Sequence, residues 1–195
     1  MMSLSLVNEE KALQNRHQAD SLLLRIAQDD MQALHCLYEQ VKTPVYAFAL
    51  SILKNAHDAE DVLHDTFVSL YTAAKGYRPN GKPMAWIMTV ARNHCLQKLR
   101  ARQKQADLPE EDWEDLVVTR EDTGAEDRLI LQQCMNVLSD EERQILVLHA
   151  VAGFKHREIA EMLELALPTV LSKYHRAIKK IRSHISWEEE KQGAE

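Results

Sequence analysis

Apolar side chains recur along this chain at every third or fourth position, which is the spacing of one face of an α-helix. One such stripe runs from Met31 to Lys54, and a second runs from Asp58 to Ala74. A shorter helix is predicted over Ala19–Gln28, and another from Pro83 to about Lys104, because proline suits the first position of a helix. The first half of the chain is therefore expected to be helical.

The second half repeats this pattern in four segments. They are Arg128–Leu138, Asp140–Val151, His156–Glu164 and Pro168–Ile185. Ser139 with Glu142 three residues later is typical of a capping box, and Asp58 with Asp61 is a carboxylate variant of that signal. We therefore expect helices to begin at both points. Pro44 is expected to kink or divide the helix in which it lies.

These segments predict an all-α protein of two small helical domains joined by a flexible acidic linker. The predicted divisions are a flexible N-terminus (1–17), a first domain (18–104), the linker (105–127), a second domain (128–186) and an acidic tail (187–195). The linker is inferred from its charge, its weak apolar pattern and the presence of Pro109 and Gly124.

Composition narrows the class of protein. Glycine and proline number five each in 195 residues, which disfavours many-stranded β architectures. No apolar run approaches the roughly 18 residues of a membrane span, and the N-terminus lacks the pattern of a signal peptide. Cys36, Cys95 and Cys134 are far apart and odd in number, so we expect reduced thiols in a cytoplasmic protein, without a disulfide framework or a metal site.

Charge is sorted along the chain, although the net charge is −6. Residues 75–104 carry eight Lys or Arg and no acid, and residues 173–184 carry five and none. Ten acids lie in residues 105–127. Segments from which acids are excluded favour contact with phosphates, so the two basic segments predict a nucleic-acid partner.

Residues 155–182 have the pattern of a helix-turn-helix. Ile159, Ala160 and Leu163 face inward from a short helix, and a three- or four-residue turn follows. The next helix is predicted to bury Val170, Tyr174, Ala177, Ile178, Ile181 and Ile185 and to expose Thr169, Ser172, Lys173, Arg176, Lys179, Lys180 and Arg182. One apolar face and one acid-free face are what a DNA-recognition helix needs. An ordinary amphipathic surface helix is the alternative.

Two motifs resemble a known family. LSDEERQILVLHAVAGFKHREIAEMLELALPTVLSKYHRAIKKIR is similar to region 4 of bacterial RNA polymerase sigma factors. DAEDVLHDTFVSLY, followed by KPMAWIMTVARNHCLQKLR, resembles their region 2. Two such units without room for a middle domain resemble the extracytoplasmic-function (ECF) subclass. The resemblance implies a stress-response transcription factor that brings core polymerase to promoters through its β′ clamp helices and β flap.

The resemblance also implies site residues. The −10 promoter element would meet Tyr77, Asn80, Lys82, Arg92, Asn93, Lys98, Arg100 and Arg102, with a flipped base in the turn at Tyr77–Lys82. The −35 element would meet Thr169, Ser172, Lys173, Arg176 and Lys179, and polymerase would meet Asp58, Asp61, Asp65 and Val68. The family further implies an anti-sigma factor, often membrane-bound. This chain departs from the family's common residues at His64-Asp65, Glu164, Pro168 and Leu171, the last replacing a frequent Lys or Arg.

Other functions remain open from the residues alone. Asp58, Asp61 and Asp65 could suggest a magnesium cluster, and Asp61-x-x-His64 resembles an element of di-iron bundles. No second matching element, HExxH, P-loop or GxSxG is present, so we predict no enzyme activity, no cofactor, no metal and no small-molecule substrate. The remaining alternatives are a helix-turn-helix regulator that does not join polymerase and a helical protein-binding adaptor.

Overall fold

The computed structural model describes residues 18–79, 81–104 and 125–192. Within these ranges the chain forms helices and no strand, which confirms the all-α prediction. Helix α1 covers 18–26. The others are α2 (Met31–Leu53), α3 (Ala56–Ala73), α4 (Pro83–Lys104), α5 (Ala125–Asn136), α6 (Asp140–Ala150), α7 (His156–Leu163) and α8 (Leu167–Gln192). None of the helices in these ranges is long and apolar enough to cross a membrane.

Helix α2 runs through its proline. Asp30 caps its start by accepting the N–H groups of Gln32 and Ala33, both at 3.0 Å. Pro44 was expected to kink or divide the helix; it lies inside a helix that continues from Met31 to Leu53, so division does not occur. Val41 and Val45 are buried on either side of Pro44. Their packing outweighs the loss of one backbone hydrogen bond, because tertiary contacts supply most of the stability of a helix in a protein.

Helix α3 starts earlier than Asp58. Its N-cap is Asn55, whose side-chain oxygen accepts the Asp58 N–H at 2.7 Å. The prediction of an Asp58 cap was therefore wrong, because an amide three residues upstream already satisfies that donor. Asp58 lies in the first turn instead.

In the second half of the chain, the predicted capping box is present, but some helices begin or end at other residues than predicted. The capping box at Ser139 and Glu142 is confirmed, with the Ser139 N–H donating to Glu142 Oε2 at 2.9 Å. Helix α5 begins at Ala125, inside the predicted linker, whose residues 105–124 lie outside the described ranges. Helix α8 continues to Gln192, so much of the predicted tail 187–195 is helical.

The two predicted domains share one apolar core. Leu37, Val45 and Phe48 of α2 belong to the same cluster as Ile145 and Leu148 of α6, and all five are fully buried. Helix α2 accordingly packs against α6 as well as against α3 and α4. The chain is thus folded so that its second half lies on its first.

Polar contacts reinforce this arrangement. The buried Arg143 guanidinium in α6 donates to the carbonyl oxygen of Leu138 at 2.9 Å and reaches that of Ser51 in α2 at 3.5 Å. Lys54 pairs with Asp140 at 2.8 Å. The domain boundaries themselves stay a prediction.

The three cysteines are unpaired thiols, of which Cys95 and Cys134 are buried and Cys36 is half-buried.

Candidate nucleic-acid and polymerase interfaces

Helix α8 has one buried edge and one exposed edge. Val170 and Ala177 on the buried edge have no exposed surface. Ser172, Arg176 and Lys179, three of the five predicted −35 contacts, lie on the exposed edge. From Leu167 to Trp187 the helix carries no carboxylate, so this edge is open to phosphate groups.

The other two predicted −35 residues lie nearer to the protein. Thr169 and Lys173 are half-buried, and the Lys173 ammonium forms an ion pair with Glu141 at the start of α6. The sequence pattern could not distinguish these two residues from Ser172 and Arg176. Neighbouring positions on a helical wheel look alike, and the packing partner determines which of them is covered.

Glu142 joins α6 to α8. Its side chain is 2% exposed and accepts the Lys180 ammonium at 2.7 Å, with Arg176 Nε at 3.7 Å. Burial opposes its ionisation, but hydrogen bonds from Lys180 and the Ser139 N–H outweigh burial and lower the pKa of Glu142. The sequence identified Glu142 only as a cap; its second role depends on a lysine 38 residues away.

Two histidines and a tyrosine form an aromatic cluster between α6, α7 and α8. The rings of His149 in α6 and His156 in α7 stack with centroids 4.3 Å apart, and both meet the Tyr174 ring of α8 edge-on at 4.9 and 4.7 Å. His149 Nδ1 lies 2.8 Å from the Phe154 carbonyl oxygen. Burial, with the neighbouring His149 and His175, lowers the pKa of His156. The sequence pattern gave no sign of this cluster, because His149, His156 and Tyr174 lie on three different helices.

The turn between α7 and α8 begins at Glu164. This residue has φ 57° and ψ 37°, the left-handed conformation that favours glycine. Glu164, one of this chain's departures from the family's common residues, therefore lies at a strained position. Pro168 follows in the first turn of α8, where its ring is tolerated.

Tyr77 is held from two sides. Its hydroxyl donates to Asp20 Oδ1 at 2.5 Å, and its ring lies 4.8 Å from that of Trp86. Burial, followed by the Asp20 hydrogen bond, raises the pKa of Tyr77. The hydroxyl of this predicted −10 residue and one side of its ring are thus already in contact with the protein itself. Asn80, the other predicted turn contact, lies outside the described residues.

Two predicted sites converge between α3 and α4. The Lys98 ammonium donates to Asp58 at 2.9 Å and to Asp61 at 2.8 Å, and Arg102 also pairs with Asp58. The Lys98 hydrogen bond outweighs the effect of burial and lowers the pKa of Asp61. Residues assigned from the sequence to DNA and to polymerase therefore neutralise one another here.

The remaining predicted −10 residues divide by exposure. Asn93 and Arg100 are exposed on α4, and Arg92 is half-buried. Lys82 forms an ion pair with Glu161 of α7 at 2.9 Å. Asn93, Arg100 and Lys82 are thus exposed, and Lys82 is paired with Glu161.

The outer face of α3 carries the rest of the predicted polymerase site. Asp65 and Val68 are exposed, and 51% of Val68 is accessible. They are three residues apart and so share one face of the helix. An exposed valine beside a carboxylate is compatible with a small interface with an apolar centre.

A possible cation site coincides with the α3–α4 ion pairs. Side-chain ligand atoms of His57, Asp58 and Asp61 lie within 4.8 Å of one another. The Lys98 ammonium already donates to both carboxylates, so their proximity is explained by ion pairing. Neither Asp65 nor His64 belongs to this group, as the magnesium and di-iron alternatives would have required.

Family models match both halves of the chain. Sigma-70 region 2 matches residues 37–105, and Sigma-70, region 4 matches residues 128–181. Together they cover more than half of the sequence.

Two curated relatives are similar to most of this chain. The ECF RNA polymerase sigma factor SigK of Mycobacterium sp. (strain KMS) is 25% identical over 171 residues, which cover 84% of this chain and 89% of the relative. SigK of Mycobacterium tuberculosis is 23% identical over 172 residues, covering 84% and 91%.

Two solved structures share the fold. CnrH in complex with the cytosolic domain of CnrY has a TM-score of 0.61 at 21% identity, covering 87% of this chain and 97% of that one. RpoE in complex with the anti-sigma factor NepR, from Bartonella quintana, has a TM-score of 0.66 at 22% identity, covering 82% and 98%. With two matched regions in order and relatives matched over most of their length, the chain belongs to the ECF sigma factors, which direct core RNA polymerase to specific promoters.

Proposed function

We propose that this sigma factor binds the −35 duplex with α8 and captures the −10 element with α4 and the turn before it. The observation that carries the first assignment is the exposed edge of α8, which holds Ser172, Arg176 and Lys179 and no acid. Such an edge fits the major groove, where side chains meet base edges and phosphates. Thr169 and Lys173 flank it.

For the −10 element, Asn93, Arg100 and Arg92 are the best supported contacts, because they lie along α4 with accessible surface. Tyr77, with Trp86 behind it, and Asn80 would form the pocket for a base taken out of the stack. Lys82 must exchange Glu161 for DNA. Lys98 and Arg102 would act mainly through the carboxylates with which they pair.

Asp65 and Val68 are proposed as the centre of the polymerase-binding face on α3, with Asp58 and Asp61 at its edge. Their exposure supports a protein contact, since neither is used in the folded chain's core. The β′ clamp helices would be the partner of this face, and the β flap would contact the second half of the chain.

Both solved structures described above are complexes: CnrH is bound to the cytosolic domain of CnrY, and the sigma factor RpoE is bound to the anti-sigma factor NepR. We propose that an anti-sigma factor also controls this chain. As an initiation factor, the protein would act in the cytoplasm, without catalysis of its own. Tight stoichiometric metal binding in a calorimetric titration would contradict the absence of a metal site.

The test of the polymerase face is Asp65→Lys in the full chain. It should weaken binding to core polymerase at least tenfold, measured by fluorescence anisotropy at fixed salt. Glu60→Lys, a matched charge reversal of another exposed acid on α3, should change affinity little. Equal loss in both variants would mean that only the total charge matters and would remove the assignment.

Promoter choice is tested by reconstitution with core polymerase and a genomic promoter pool. Specific initiation above core alone is expected. Arg176→Ala should weaken −35 binding. Loss of a phosphate contact would weaken all sequences alike and reduce the salt dependence, whereas loss of a base-edge contact would relax specificity at one position. Unchanged affinity at matched salt would contradict the role of α8.

A further inference from the structure

Leu171 is an exposed apolar side chain on the edge of α8 that would face DNA. It is 37% exposed, whereas its neighbour Val170 is fully buried. Positions one turn apart place it beside Pro168 and His175, with Ser172 adjacent, and all of these are exposed. The edge is therefore mixed in chemistry: Leu171 and Pro168 are apolar, whereas Ser172 and His175 can donate or accept hydrogen bonds.

Its place in the helix gives this leucine significance. Single exposed leucines are common on protein surfaces and need no explanation by themselves. Leu171, however, lies in the second turn of α8, and the N-terminal residues of a recognition helix are those that reach base edges. Lys173, the nearest cation on the chain, is directed toward Glu141 of α6 and is only 22% exposed in its side chain.

The chemistry of the major groove then selects one base. Thymine alone presents an apolar group there, the C5 methyl, whereas the other three bases present hydrogen-bond donors and acceptors. A leucine placed against those polar atoms would remove water from them without replacing its hydrogen bonds, which is unfavourable. Against a methyl group, the leucine displaces no hydrogen-bonded water and buries apolar surface.

We infer that Leu171 is a specificity-determining residue that reads the C5 methyl group of a thymine in the −35 element. This inference rests on the proposed binding of the −35 duplex by α8. Arg176 would hold the register through phosphate or base contact, with its guanidinium 3.4 Å from Ser172 Oγ in the free chain.

The test replaces thymine by deoxyuridine, which lacks only the methyl group. A promoter recovered from the genomic pool is synthesised with each −35 thymine changed in turn, and binding to the reconstituted holoenzyme is measured. With the original chain, one position should weaken about fourfold, the effect of one buried methyl group. With Leu171→Ala, thymine and deoxyuridine should bind equally at that position.

The control is Ile185→Ala. Ile185 lies on the same helix and is also 37% exposed, but it is far from the N-terminal end. Its variant should keep the fourfold difference. Circular dichroism should show the same helix content in both variants.

A second variant tests whether a different base preference can be introduced. Leu171→Arg supplies a bidentate donor, which pairs with the O6 and N7 atoms of guanine. Selection from a library randomised at the same base pair should then return guanine in place of thymine.

The outcomes separate the inference from the function beneath it. If Arg176→Ala weakens −35 binding but deoxyuridine has the same effect with Leu171 and with alanine, or no effect with Leu171, the inference is overturned and α8 keeps its role. If neither Arg176→Ala nor Leu171→Ala changes −35 binding, the assignment of α8 to that element fails.

Discussion

At the scale of single residues, Glu142 has two tasks that a neutral side chain cannot both perform. It caps α6 through the Ser139 N–H, and its negative charge holds Lys180 and faces Arg176. Because the carboxylate is almost fully buried, its hydrogen bonds to charged groups are worth more than those on the surface.

We predict that Glu142→Gln destabilises the chain by about 1 to 3 kcal/mol, measured by urea unfolding at pH 7. Glutamine keeps the capping geometry, so the loss reports the charge. The pKa of Glu142 is below its ordinary value of 4.5 in the folded chain, so its stabilisation is present above pH 4.5 and is lost as pH falls further. The variant and the original chain should converge in stability at low pH; a constant difference would argue against the charge.

His156 gives the opposite type of titration. Its folded pKa is below the ordinary value of 6.5, because burial and two neighbouring histidines disfavour the cation. The unfolded chain therefore binds a proton first, and stability should decrease as pH falls below about 6.5.

His156→Phe should reduce this loss, because phenylalanine can fill the space against His149 and Tyr174 without titrating. The measurement is thermal unfolding at pH 7.5 and pH 5.5. His35→Asn, at an exposed position of α2, is the control and should keep the pH dependence. A loss of stability on acidification equal to that of the original chain would exclude His156 as its source.

At the scale of elements, one helix cap could be predicted from the sequence and another could not. Ser139 was correctly identified because its partner Glu142 lies three residues away. Asn55 was missed because Asp58 and Asp61 offered the same local signal, and only the folded backbone shows which side chain reaches the donor. Local chemistry thus fixes that a helix starts, and competition among nearby polar residues fixes where.

The turn at Glu164 provides an element-scale prediction. A residue with a Cβ atom in the left-handed conformation costs about 1 kcal/mol, and glycine removes that cost. Glu164→Gly should therefore stabilise the chain by about 1 kcal/mol, read from the urea midpoint.

Glu164→Ala provides its control. Alanine keeps the Cβ atom and should give no such gain. If alanine stabilised the chain as much as glycine, the effect would come from removing the charge and not from the backbone.

At the scale of the whole molecule, the packing of α2 against α6 lay beyond the reach of sequence. Amphipathic stripes predicted that each helix buries a face, but not which partner covers it. The Arg143–Ser51 contact spans 92 residues, and the Lys98 pairs with Asp58 and Asp61 span about 40. Candidate residues could be identified by type, whereas their pairing required the fold.

Arg143 tests this shared core. Its guanidinium satisfies carbonyl oxygens of Met135 and Leu138 and reaches Ser51 across the two halves. Arg143→Met should cost about 3 kcal/mol, because buried acceptors and Asp140 lose their partner. Unfolding followed by tryptophan fluorescence and by circular dichroism should shift together; separate transitions would contradict a common core.

The contact between Lys82 and Glu161 has a consequence for promoter length. Elements centred on −10 and −35 lie about 25 base pairs apart, or about 85 Å of straight duplex at about 3.4 Å per pair. A turn before α4 and a helix-turn-helix joined by a 2.9 Å ion pair cannot span that distance. If α4 and α8 bind these elements as proposed, reading both requires the second half of the chain to leave α2. The apparent dissociation constant for the promoter would then equal the intrinsic constant divided by the fraction of chains that are already extended. The strength of the α2–α6 interface would thus set the concentration of sigma factor at which a promoter is occupied.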